Sequence, residues 1–175
     1  MTPLDWTHVV RDIPAEGLSI ERAASSEETA RLAEALGILS VDKLVVRYRL
    51  IPRAGGRLAL TGSIAAHVTQ ECVVTLDPVA ATLSLPLDAI YTPHVSEADS
   101  AVEGTLEDLE KPEEEPIENG RIDVGRVVLE ELMSGIDPYP RRPDANFDWP
   151  GDAAETAGDN PFAALERLRK PRAPD

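Results

Sequence analysis

Residues 41–72 read VDKLVVRYRLIPRAGGRLALTGSIAAHVTQEC. Val46, Tyr48 and Leu50 alternate with Arg47 and Arg49, a period of two that specifies a strand. Gly55-Gly56 follows, a pair that supplies positive φ without steric cost, so the chain turns there. The alternation then resumes. Leu58, Leu60, Ile64 and Val68 fall on one face, and Arg57, Thr61, Ser63, His67 and Thr69 on the other. The two runs predict a long antiparallel hairpin with one apolar and one polar face.

The pattern extends outward from this hairpin. In ATLSLPLDAIY (81–91), Leu83, Leu85, Leu87, Ala89 and Tyr91 again recur at every second position. Residues 41–92 therefore predict a meander of about three strands. Upstream, residues 6–24 predict one or two short strands interrupted by Pro14 and Gly17. Ser25 and Glu28 have the spacing of a capping box. Leu32, Ala33 and Leu36 form one helical stripe, and Gly37 is a stop. This short amphipathic helix is placed to cover one sheet face, so the fold class is α+β, a sheet meander packed with helices.

Downstream the texture changes. The stretch 97–120, EADSAVEGTLEDLEKPEEEPIENG, is acidic, contains proline and is poor in large apolar side chains. It lacks the apolar surface to offset the entropy of ordering, which predicts a flexible acidic loop over 94–120. In RIDVGRVVLEELMSGI (121–136), Asp123 is a good N-cap, and Val124, Val127, Val128 and Leu132 share a face. The organisation expected is thus an α+β core with its hairpin over 1–93, the acidic loop, and a buried helix over 121–140 that completes the core. A Pro-rich extended segment carrying Arg141-Arg142 follows over 141–159, and a C-terminal helix with a basic tail over 160–175. In that tail Asn160 is the N-cap, Pro161 sits at the first helical position, and Phe162, Leu165 and Leu168 form a stripe for docking onto the domain or a partner. Arg167, Arg169, Lys170 and Arg172 crowd its end.

The net charge of −15 argues against a simple nucleic-acid binder, but the distribution is uneven. Lys43, Arg47, Arg49, Arg53 and Arg57 cluster on the hairpin with only Asp42 near them in sequence. Arg47, Arg49 and Arg57, beside Thr61, Ser63 and His67, make a sheet face suited to phosphates and 2′-hydroxyls. That face carries no aromatic residue, so base stacking is not indicated on it. A solvated face paired with local acids is the plainer reading of the same residues.

Signs of an enzyme are missing. There is no phosphate-binding loop, no dinucleotide fingerprint and no nucleophile elbow, and His8, His67 and His94 are scattered without metal-ligand spacing. Cys72 is the sole cysteine, which excludes an intrachain disulfide. Its neighbour Glu71 raises the thiol pKa, so a structural thiol is expected. No catalytic site, cofactor, metal or small-molecule substrate is expected. The start, MTPLDWTHVV, has neither a basic end nor an apolar run, and no stretch is long enough to span a membrane, so a cytosolic protein is expected.

Three stretches in order, QECVVTLDPV (70–79), PIENGRIDVGRVVLEELMSGIDPYPRRPDA (116–145) and NPFAALERLRK (160–170), resemble the YceD family of large ribosomal RNA subunit accumulation proteins. The resemblance covers roughly residues 20–170. It implies a role in synthesis, processing or stability of large-subunit ribosomal RNA, with that RNA, its precursors or ribosomal proteins as partners, and no known catalytic activity. Many members of the family carry a second Cys three residues after the first. Thr75 stands there in this chain, so a metal or redox role built on such a pair does not hold. Two ways of working follow: RNA contact through Arg47, Arg49, Arg57, Arg167, Arg169 and Lys170, or an adaptor whose acidic loop, Glu103 to Glu118, holds a basic protein without touching RNA.

Overall fold

Strands β3 (Ser40–Pro52) and β4 (Leu58–Glu71) form the expected hairpin, paired from Ser40↔Thr69 to Pro52↔Leu58 with one irregularity between Val41 and Lys43. The turn between them uses Gly55 and Gly56 at φ 76° and 72°. In this computed structural model, residues 3–93 and 113–146 are described. Met1–Pro143 form one unit; of a second, Asp144–Asp175, only residues 144–146 are among those described. The expected C-terminal helix and the greater part of the acidic loop lie outside the described residues.

Around the hairpin, β2 (Leu18–Ala23) pairs antiparallel with β3, and β5 (Pro78–Thr92) pairs antiparallel with β4. A short strand β6 (Glu113–Pro116) joins β5 in parallel, giving one five-stranded sheet in the order β2-β3-β4-β5-β6. Thr7–Val9 (β1) and Arg121–Asp123 (β7) form a separate antiparallel pair. Helices α1 (Ser26–Leu36) and α2 (Val124–Gly135) pack against β3 and β5 respectively. The class is α+β, as the sequence predicts. One boundary is corrected: the acidic loop was expected to run to residue 120, yet residues 113–116 are a strand and Glu118 bridges Arg121. A run of three glutamates before a proline has no strand propensity, so its pairing with β5 is imposed by tertiary context.

The core lies on one face of the sheet. Leu44, Val46, Leu50, Leu60, Ile64, Leu87 and Ala89 from the strands meet Leu32 of α1 and Val124, Val127, Val128 and Leu132 of α2, all essentially sealed from solvent. Each Val, Leu or Ile among them contributes about 1.5–3 kcal/mol by leaving water. Trp6 is also fully buried, and its indole N–H donates to Glu28 Oε1 at 2.8 Å. Glu28 is the third helical residue of α1. Its carboxylate accepts from the Ser25 amide while the Ser25 hydroxyl accepts from the Glu28 amide, completing the expected capping box. One carboxylate therefore caps a helix and anchors the N-terminal segment to it. Burial pushes the Glu28 carboxyl up, but the bonds from Ser25 and Trp6, with Arg22 nearby, outweigh that and hold it below its ordinary value.

Asp123 caps α2, its Oδ1 accepting from the Arg126 amide at 3.2 Å. The next turn crosses the N-terminal segment so closely that a Cβ on Gly125 would overlap the Leu4 carbonyl oxygen. The amide of Val124 meanwhile donates to the Trp6 carbonyl at 3.1 Å. The Ile122-Asp123-Val124-Gly125 stretch is thus a docking joint: a buried side chain, a cap, a buried valine and a glycine at the point of contact.

Strand β5 is longer than its outer partner. Only Ala89–Thr92 pair with β6, so among the described residues 78–88 form an edge with no outer partner. Pro78 and Pro86 lie on that edge, at positions of the same parity. Proline has no N–H to give to β4, so at these two positions the missing donor is one that would have faced the edge.

Candidate nucleic-acid interface

Both helices cover the same face of the sheet, and the opposite face is bare among the described residues. Alternation along the strands decides what it shows: Ser19 and Glu21 from β2, Arg47 and Arg49 from β3, Thr61, Ser63 and His67 from β4, Thr82, Ser84 and Asp88 from β5, all exposed. The register places them in rows. Glu21, Arg47, Ser63 and Pro86 lie side by side, as do Ser19, Arg49, Thr61 and Asp88. Arg47 and Arg49 therefore stand next to hydroxyls, as the period-two reading predicts. Arg57 is exposed at the end of the hairpin, where its carbonyl accepts from the Arg53 amide at 2.8 Å and closes the turn.

The arginines are not unopposed. Glu21 sits directly across from Arg47, and the two form a forked ion pair at 2.9 and 3.1 Å. Hydrogen bonding to Arg47 and its charge hold the Glu21 carboxyl below its usual range. Arg49 donates to the Glu16 carbonyl at 3.0 Å. The sequence near the hairpin shows only Asp42, because Glu21 arrives through strand pairing. His67 is exposed and shares a hydrogen bond of 3.2 Å with Thr82, an ordinary surface arrangement. Arg167, Arg169, Lys170, Phe162, Leu165 and Leu168 lie outside the described residues.

Two further places have defined chemistry. The first is the turn after β4. Cys72 is fully buried, and its amide and carbonyl close the turn through Asp77 and Leu76. A hydrogen bond from the Thr75 hydroxyl, then one from the Arg142 amide, and weaker ones from the amides of Thr75 and Val74, overcome burial and bring the thiol down to about 7. This corrects the expectation drawn from Glu71: the neighbour in sequence does not set the thiol's acidity. Thr75, on the near side of the turn, and Arg142, seventy residues away, do.

The second is a pocket of about 290 Å³ beside the start of α2, lined by Tyr91, Glu115, Arg121, Asp123 and Arg126 among others. Glu115 is buried there and ion-paired with Arg126. Tyr91 donates to the Asp123 carbonyl at 2.9 Å, and burial pushes its hydroxyl well above the ordinary tyrosine value. Glu115 is consequently a structural charge and not part of a solvated acidic run. Among the described residues, no group of three or more His, Cys, Asp or Glu is placed to hold a metal ion. No helix among them is long and apolar enough to cross a membrane.

The family model for the large ribosomal RNA subunit accumulation protein YceD matches residues 60–169, well over half of the chain. The chain belongs to the YceD family. The matched stretch holds most of β4, the Cys72 turn, β5 to β7, the Gly125 joint and α2 of this YceD-family chain. Arg47, Arg49 and Arg57 precede it. No curated protein and no solved structure matches the chain.

Proposed function

We propose that this YceD-family chain is a non-enzymatic, cytosolic accessory factor in the accumulation of large-subunit ribosomal RNA, and that it touches RNA through the bare sheet face. The observation that carries this reading is the pair of rows in which Arg47 and Arg49 stand beside Ser63 and Thr61 on a face that neither helix covers. A-form RNA presents a wide, shallow groove lined by 2′-hydroxyls and phosphates, and a flat face of guanidinium and hydroxyl groups is complementary to it. The absence of aromatic side chains from that face favours reading of shape and backbone. The Arg47–Glu21 pair is solvent-exposed, with side chains 68% and 58% accessible, so a phosphate can take the place of the carboxylate without desolvating a buried charge. Arg57 at the hairpin end extends the same field, and the basic C-terminal Arg167, Arg169 and Lys170 add a second cationic element. Phe162, Leu165 and Leu168 would seat that element on a partner.

The test is capture of the tagged chain from cells with and without ribonuclease, for the wild type and for Arg47→Glu/Arg49→Glu. Enrichment of large-subunit RNA by the wild type, lost in the double variant at an unchanged unfolding midpoint, is the expected result. Equal enrichment by both would end the assignment of this face. Retention of a basic ribosomal protein after ribonuclease, abolished by deleting residues 97–112 and so sparing β6, would establish the adaptor reading in its place. Truncation after Gly158 is expected to lower partner binding per folded molecule. A loss of stability alone would leave the C-terminal stripe a purely structural role.

A further inference from the structure

Residues 137–143 read Asp-Pro-Tyr-Pro-Arg-Arg-Pro. Three prolines in seven residues fix φ at about −65° each and stiffen the backbone. This strap is also fastened along its length to the end of β4 and the Cys72 turn. The Gln70 side chain donates to the Asp137 carbonyl at 2.8 Å, and the Val73 amide donates to the Pro140 carbonyl at 2.9 Å. Arg142 reaches Asp77 at 3.1 Å. The Tyr139 amide is tied to the Asp137 carboxylate at 2.9 Å.

What the strap displays follows from its alternation. Pro140 is buried, while Tyr139 and Arg141 on either side of it are exposed. Tyr139 is 71% accessible, the most exposed of the large apolar side chains among the described residues. Arg141 makes no ion pair with another described residue, in contrast to Arg142. On the adjoining turn Val73 is 45% and Leu76 68% accessible, the latter turned outward by a backbone at φ 61°. A ring, a guanidinium two residues further along the chain and a low apolar shelf are held together by these anchors.

We infer that Tyr139 and Arg141 form a contact for an unpaired nucleotide of RNA, the base stacking on the ring and its phosphate meeting the guanidinium. This rests on the reading that the chain binds RNA, and it adds a site of different character. The bare face has no aromatic and suits duplex backbone, whereas this strap offers the stacking platform that single strands require. A ring held by flanking prolines loses little freedom on binding, so the contact is pre-organised. The strap is fastened at Gln70, seven residues along β4 from the Ser63 that pairs with Arg47 and so roughly 23 Å away at the rise of a strand; substitutions at one site leave the other intact.

The experiment uses the full chain with two labelled probes, a short unstructured oligoribonucleotide and an RNA hairpin of equal charge. Tyr139→Ala is expected to weaken binding of the single strand on the order of tenfold and to leave the hairpin unchanged, with Tyr139→Trp restoring it. Arg141→Gln is expected to reduce the salt dependence by about one phosphate contact. Ultraviolet cross-linking to the single strand is expected to map to the peptide holding Tyr139. Unchanged single-strand affinity in Tyr139→Ala, at an unchanged unfolding midpoint, overturns the inference. If Arg47→Glu/Arg49→Glu alone then loses RNA, the bare face stands without the strap. If the wild type binds neither probe, both readings fall together. Loss in Tyr139→Ala of a ribosomal protein that resists ribonuclease, with RNA affinity intact, would make the strap a protein contact and overturn the inference as well.

Discussion

The two faces of the five-stranded sheet are made by the same strands, residue by residue in alternation, yet they follow different rules. The inner face is continuous aliphatic surface, from Val46 and Leu50 through Leu60 and Ile64 to Leu87 and Ala89, closed by two helices. The outer face is built of small polar groups and a few long charges: Ser19, Glu21, Arg47, Arg49, Thr61, Ser63, Thr82 and Ser84. On the inner face a side chain is constrained by volume, because its neighbours are close-packed. On the outer face it is constrained only by what it has to meet from outside. Stability resides on one side of a sheet one residue thick, and the other side is free of that constraint.

That contrast can be broken most directly at adjacent residues of β4. Leu60→Ala removes a fully buried side chain and is expected to cost about 2–5 kcal/mol. Thr61→Ala, one residue on and facing out, is expected to stay within about 0.5 kcal/mol. Urea midpoints at constant slope measure both, and a large effect at Thr61 would mean that the outer face is covered. Gly125→Ala tests the same packing rule at the α2 joint, where the added methyl has no space beside Leu4; about 1–3 kcal/mol of destabilisation is expected in thermal unfolding.

Glu28→Gln sharpens the comparison by altering a buried polar group on the covered side. Its two oxygens serve Trp6 and Ser25, so a loss of about 1–3 kcal/mol is expected. Because the native carboxyl is held below its ordinary value of 4.5, its contribution is complete above that pH and is lost as pH falls further, through the native pKa. In Glu28→Gln the acid limb of the stability curve should be shallower. At Cys72 the effect is confined to a pH window. The native thiol, at about 7, lies below its ordinary 9.0, so the unfolded chain holds the extra proton between those values. Stability should therefore rise from pH 7 to 9 and lose that increment as pH falls through 7. Cys72→Ser should flatten this window, as chemical-denaturation midpoints across it will show.

Elements whose cause is local were legible in the sequence. The β3–β4 hairpin, the Ser25–Glu28 capping box, the Gly37 stop and the Asp123 cap each depend on residues within a few positions, and each is in place. What could not be read depends on distant partners. Glu21 reaches Arg47 only through pairing of β2 with β3, and Glu115 is buried because Arg126 meets it. Cys72 is made acidic in part by the backbone of Arg142. Nothing in the sequence around Trp6 indicates that it ends on Glu28. The exposure of Tyr139 is hidden in the same way, because it is decided by the anchoring of Pro140, which no spacing rule conveys. The arginine rows of the outer face follow from alternation, so their placement was legible, while their salt-bridge partner was not.

The two prolines on the edge of β5 that no described residue pairs with bear on how this molecule behaves in a crowd. An open strand edge is a template on which a second molecule can add its own strand, and then a third. Along residues 78–88 that template lacks two of its donors, at Pro78 and Pro86, so a ladder growing there would miss a rung at each. Pro86→Thr would repair one of them. The variant should keep its fold at low concentration and self-associate more readily than the wild type as concentration rises, visible in light scattering. The sheet ends where it does because its border is written to refuse continuation.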